Sequence, residues 1–158
     1  MSCSPRRLLP VLPVLCLLLG TPATHAQPAP GSFGLGGQIG EPSGITLKLY
    51  RSRSVSYDFL AAWDLDDFFF LNVHLLNARP LGREREFHVF FGPGAFIGIL
   101  DRPRFRDDEV VVGLSGQVGL GLFIERFELF VQLTPRLSLL PATDGDLGGG
   151  LGARYLFD

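Results

Sequence analysis

Few residues in this 158-residue chain carry reactive side chains, so their spacing is informative. Sulfur nucleophiles are confined to Cys3 and Cys16, imidazoles to His25, His74 and His88, and the ammonium group to Lys48. A hydrolytic triad needs a hydroxyl or thiol, a base and an orienting carboxylate on one surface. Neither His74 nor His88 has a serine or carboxylate at such spacing, so both read as hydrogen-bonded interior residues. No His or Cys pattern matches a zinc site. The glycines from Gly34 to Gly40 precede no helical pattern and form no phosphate loop. The expectation is a non-enzymatic protein with no catalytic residue, cofactor or bound metal. The charged residues are more telling. Lys48 and Asp58 flank one short turn and are expected to face each other; Glu128 and Arg154 lie on the last two segments, and Arg136 shares their face. Charges enclosed in a narrow space must be paired. Lys48, Asp58, Glu128, Arg136 and Arg154 are therefore candidate interior ion-pair residues.

The amino terminus reads as an address. Arg6 and Arg7 form a positive start, Leu8 to Leu19 an apolar stretch, and Thr24-His25-Ala26 a small-residue cleavage site. Twelve apolar residues interrupted by Pro10 and Pro13 are too short to span a bilayer. Residues 1–26 are expected to be a cleaved signal peptide, 27–32 a short linker and 33–158 one domain. Cleavage removes both cysteines, and with them any disulfide or thiolate site. Without Arg6 and Arg7 the basic residues fall from 14 to 12 against 16 acidic ones, a net charge of −4.

Composition narrows the rest. Twenty Gly and 14 Phe against a single Met argue against a helix bundle. A net charge of −2 with no unopposed basic cluster excludes a nucleic-acid partner. From Phe33 onward the apolar residues alternate with period two. Eight strands are predicted at about 33–39, 45–50, 55–63, 68–76, 87–100, 110–124, 127–139 and 147–157, separated by Gly-, Pro-, Asp- and Arg-containing turns. One face carries the bulky residues, among them Leu47, Phe59, Trp63, Val73, Phe91, Leu120, Val131 and Tyr155, and no charge. The other carries Gln38, Thr46, Ser56, Asn72, His74, His88, Ser115, Gln117, Gln132, Thr134, the five charged candidates and many glycines. A soluble barrel puts its bulky apolar face inside. Here the small and polar face suits a narrow lumen, and the charge-free face suits lipid. The predicted fold is all-β: an eight-stranded antiparallel up-and-down transmembrane β-barrel with aromatic girdles. Such small barrels are filled by side chains and form no open pore.

The ending Gly152-Ala153-Arg154-Tyr155-Leu156-Phe157 resembles the carboxy-terminal signature of bacterial outer-membrane barrels. The resemblance makes Gly152, Tyr155 and Phe157 the strand that barrel assembly machinery would recognise. Residues 33–157 resemble small OmpA/OmpX-type barrels. They are more closely similar to a largely uncharacterised family of such barrels in spirochaetes and other diderms, through the Gly40-Glu41-Pro42-Ser43-Gly44 turn with Ile45 to Tyr50, the Leu133-Thr134-Pro135 kink leading to Leu139 to Asp144, and the final strand. Family members often carry a carboxylate where Gln132 stands and an Arg-x-Pro near Gly113. Their absence implies a thinner interior charge network here. The resemblance implies a bacterial outer-membrane location after export, lipid contact with lipopolysaccharide on the outer side, and a monomer. It supplies no activity.

With a periplasmic amino terminus, the outer loops are 40–44, 64–67, 101–109 and 141–146, holding ten acidic residues against three arginines. The inner turns 51–54, 78–86 and 125–126 hold six arginines against three glutamates. Turn chemistry explains this split, and cation binding near lipopolysaccharide phosphates is the sharper alternative. The favoured function is a structural or surface-contact role in the envelope. Alternatives are an adhesin or ligand-binding barrel, a lipid A- or phospholipid-modifying enzyme, and a soluble lipocalin-like carrier. Contact with an unknown surface ligand would fall to the longest loop, through Arg102, Arg104, Phe105, Arg106, Asp107 and Asp108.

Overall fold

The computed structural model describes residues 28–64, 68–82, 86–100 and 109–157. The expected signal peptide and the contact residues Arg102 to Asp108 lie outside them. Eight strands follow in chain order: β1 (Phe33–Glu41), β2 (Gly44–Tyr50), β3 (Val55–Asp64), β4 (Phe68–Pro80), β5 (Phe87–Leu100), β6 (Glu109–Ile124), β7 (Phe127–Leu140) and β8 (Asp144–Phe157). Each pairs antiparallel with its chain neighbours. β1 closes the circle against β8, from Phe33↔Phe157 to Glu41↔Gly149. Closure leaves no sheet edge, so the strands satisfy each other's backbone groups around the full circle.

The strands match the sequence expectation, and three ends run further. β4 continues through Asn77–Pro80 because β5 extends beside it, with Pro80 opposite His88. β8 begins at Asp144 because β7 supplies partners for it, with Asp146 opposite Arg136. The turn between β1 and β2 shrinks to Pro42 and Ser43. The expected linker is partly ordered too: Gly31 N–H donates to Tyr50 O at 2.7 Å and Tyr50 N–H to Ser32 O at 3.0 Å, which extends the β1–β2 ladder.

Alternation then sorts the side chains. Leu35, Leu49, Leu75, Leu114, Val118, Leu120, Leu129, Val131, Leu133 and Leu151 are exposed on the outer wall. At the end bearing residues 51–54, 81–82 and 125–126, which we term the turn end, the outer wall carries an aromatic row. Phe33 stacks on Phe157 at 4.9 Å between centroids, and Tyr155 meets Phe157 at 4.8 Å and Phe127 at 5.3 Å, both edge-on. Trp63 and Phe69 are exposed and adjacent toward the opposite, loop end. The lengthened β4 corrects the charge-free outer face at one point: Arg79 is exposed in the strand, 5.9 Å from the Phe91 ring.

The lumen departs further from expectation. Its polar residues are buried as predicted, but rings and aliphatic groups also point inward. Ala62, Phe70 and Phe96 pack together toward the loop end, and Leu76, Phe90 and Phe130 toward the turn end. Glycine makes this feasible. The inward rings of His74, His88, Phe90, Phe96 and Phe130 each lie opposite a cross-strand glycine: Gly94, Gly121, Gly119, Gly113 and Gly152 respectively. A Cβ at any of these glycines would collide with the facing ring.

Candidate functional site

Closure brings distant residues into one lumenal hydrogen-bonded network. Glu128, on β7 near the turn end, is fully buried and sits at its centre. Its Oε1 is 2.6 Å from Lys48 Nζ and 3.1 Å from His88 Nε2. Its Oε2 accepts from Tyr50 Oη at 2.9 Å and from Arg154 Nη1 at 3.2 Å. Arg154, on β8, spans the lumen: Nη2 reaches Asp58 Oδ1 at 2.7 Å, and Nε donates to Thr46 Oγ1 at 2.7 Å. Its guanidinium lies 3.8 Å from the centre of the Phe130 ring. Two cations thus face two carboxylates; Glu128, Arg154 and Asp58 have further hydrogen-bond partners, and Lys48 Nζ lies over the Tyr50 and Phe90 rings.

The expected pairing is rearranged. Lys48 and Asp58 are opposite each other in the β2–β3 register. Their ion-pair partners are nevertheless Glu128 and Arg154. The planar guanidinium fork can hold two carboxylates at once, whereas a lysine is a single point charge. Arg154 therefore takes Asp58 as well as Glu128, and Lys48 completes Glu128 from the other side. Glu128 and Arg154 are register partners and also an ion pair. Arg136 stands apart at the loop end, paired with the exposed Asp146 and 5.3 Å from the Phe70 ring centre.

At the level of Gln132 the interior carries amides in place of charges. Gln117 Nε2 donates to Asp58 Oδ2 at 3.0 Å and also to Gln132 Oε1. Gln132 Nε2 donates to Gln38 Oε1 at 2.7 Å, and Gln38 Nε2 to Pro42 O at 3.0 Å. A chain of polar contacts therefore runs without a break from His88 near the turn end to Pro42 at the loop end.

Sequence spacing gave the histidines no hydroxyl partner, and the barrel supplies one. Ser115 Oγ on β6 lies 3.0 Å from His74 Nε2 and donates to Asn72 Oδ1 at 3.0 Å. Asp58 is the register partner of His74. All four residues are buried. The serine, lying 41 residues away in the chain, is found only by knowing the β4–β5–β6 register. Its hydrogen goes to Asn72, so this geometry serves a filled lumen better than a nucleophile. Among the described residues, no group of three or more His, Cys, Asp or Glu is placed to hold a metal ion. Of the strand resembling an assembly signal, Tyr155 and Phe157 belong to the outer aromatic row, and Gly152 lies inside beneath Phe130.

The fold is shared with a known bacterial barrel domain. The chain is similar to the N-terminal β-barrel domain of Pseudomonas aeruginosa OprF, with a TM-score of 0.61 at 12% identity, covering 80% of this chain and 96% of that one. No family model and no curated protein matches the chain.

Proposed function

We propose that this is an integral protein of the bacterial outer membrane, exported by a cleaved signal peptide, with a structural or surface-contact role in the envelope. One observation carries the reading: a continuous belt of exposed Leu, Val, Ile and Phe surrounds a lumen holding the charged and amide side chains. A soluble carrier needs the opposite facing, because a wall this apolar in water would drive association. In lipid the arrangement satisfies backbone and side chains together. The likeness to the OprF barrel domain supports it, as does the aromatic row at one rim. The lumen is occupied by its own network, which favours a closed monomeric barrel over a pore and contacts at the loop end over catalysis inside. The final strand would be the segment read by barrel assembly machinery. Trp63 is the sole tryptophan and is exposed on the outer wall, so it reports facing directly. In vesicles containing brominated lipid its fluorescence should be strongly quenched; emission unchanged from that in plain vesicles would contradict the lipid-facing assignment.

A further inference from the structure

At the turn end the lumen opens into a cavity of about 30 Å³. Lys48, Ser56 and His88 form its buried floor, and Arg53 and Ser54 stand at its rim. Its described lining contains no carboxylate. The floor holds two polar atoms with no hydrogen-bond partner, Ser56 Oγ and His88 Nδ1, on side chains that are 2% and 4% exposed. Buried polar atoms without partners cost free energy unless something in the cavity satisfies them. Lys48 is already offset by Glu128. The exposed Arg53 makes no ion pair with a described residue, so it supplies the uncompensated positive charge.

We infer that this cavity is a binding site for a small phosphate-type oxyanion, one oxygen seated between Ser56 and His88 and the remaining oxygens held at the rim by Arg53. The volume is adequate for a group of about water size, which needs at least ~10–15 Å³. Arginine forks suit the tetrahedral oxygens outside it. Imidazole chemistry narrows the ligand. The Glu128 carboxylate accepts, so the Nε2 facing it at 3.1 Å is the donor. In the neutral ring Nδ1 is then an acceptor, and an oxyanion that keeps a proton can donate to it while accepting from Ser56. Hydrogen phosphate keeps such a proton near neutral pH and sulfate does not. Free phosphate and a phosphomonoester head group share the rim chemistry, and they differ in that proton.

The test is titration of the folded full chain in detergent micelles, followed by calorimetry and by the His88 ring resonances. Inorganic phosphate, glycerol 3-phosphate, sulfate and chloride would be compared at pH 8 and matched ionic strength. Phosphate should bind and shift the His88 signals, and sulfate should bind more weakly. Glycerol 3-phosphate, whose phosphate group has lost that proton at pH 8, should bind more weakly than the free ion, and binding as tight as phosphate would overturn the seat at His88 Nδ1. Arg53→Gln and Ser56→Ala should each weaken phosphate binding, the arginine change by about tenfold for a lost charge-assisted contact. Arg51→Gln removes the same charge from an exposed residue outside the lining and should leave affinity unchanged. Chloride matching phosphate, an Arg51→Gln loss equal to that of Arg53→Gln, or His88 signals that do not move would overturn the assignment.

Discussion

Glu128 and Arg154 show how four charges are kept inside a barrel too narrow for bulk water. Each touches two opposite charges, and hydrogen bonds from Tyr50 and to Thr46 occupy further lone pairs and protons. Removing one member of such a set strands the others, which costs about 3–5 kcal/mol for a buried pair. Arg154→Ala should therefore lower the urea or thermal midpoint of the folded barrel substantially, since both Asp58 and Glu128 lose a partner. A midpoint equal to the parent's would refute the pairing. The glycine–ring contacts make a second prediction at this scale. The three atoms nearest a methyl at Gly121 all belong to the His88 ring. Gly121→Ala should cost about 1–3 kcal/mol, as overpacking does. Combined with His88→Ala the cost should be smaller than the sum of the two, read as a double-mutant coupling energy. Strict additivity would mean that the ring does not occupy that space.

At the scale of the strand, facing decides everything, because a shift of one residue exchanges wall and lumen. Val131 lies within β7, four residues from its start, exposed between Leu120 and Leu151 on the neighbouring strands. Val131→Arg should destabilise the barrel in a bilayer by about 2–4 kcal/mol, as measured by equilibrium unfolding from vesicles. A change within about ±0.5 kcal/mol, normal for a water-exposed site, would show that β7 faces solvent. Period-two alternation made this facing readable from residues alone, most plainly in the long β5, β6 and β7. It failed at strand ends. Asn77 to Pro80 and Asp144 to Asp146 have turn-type side chains and join the ladder only because a neighbour runs alongside. It also failed for the inward Phe70, Phe90, Phe96 and Phe130. A lumen read as small and polar has no place for rings until each is paired with its glycine, and that pairing needs the register. The ion-pair partners were hidden for the same reason: Lys48 meets Glu128 across 80 residues and Arg154 meets Asp58 across 96.

The whole molecule combines an apolar exterior, a filled polar lumen and two unlike ends. The Lys48, Asp58, Glu128 and Arg154 side chains are buried together across the lumen, so the protein added to a planar lipid bilayer should give no discrete conductance steps; regular steps would contradict a closed lumen. The inside-out distribution is the central claim, and heat-modifiability tests it most directly. Isolated outer membranes containing the protein would be run on a denaturing gel with and without boiling. The account predicts a compact, detergent-resistant band in the unboiled membrane fraction that shifts on boiling. Recovery of the protein in the soluble periplasmic fraction, with no shift, would contradict it and require the apolar wall to be covered by something other than lipid.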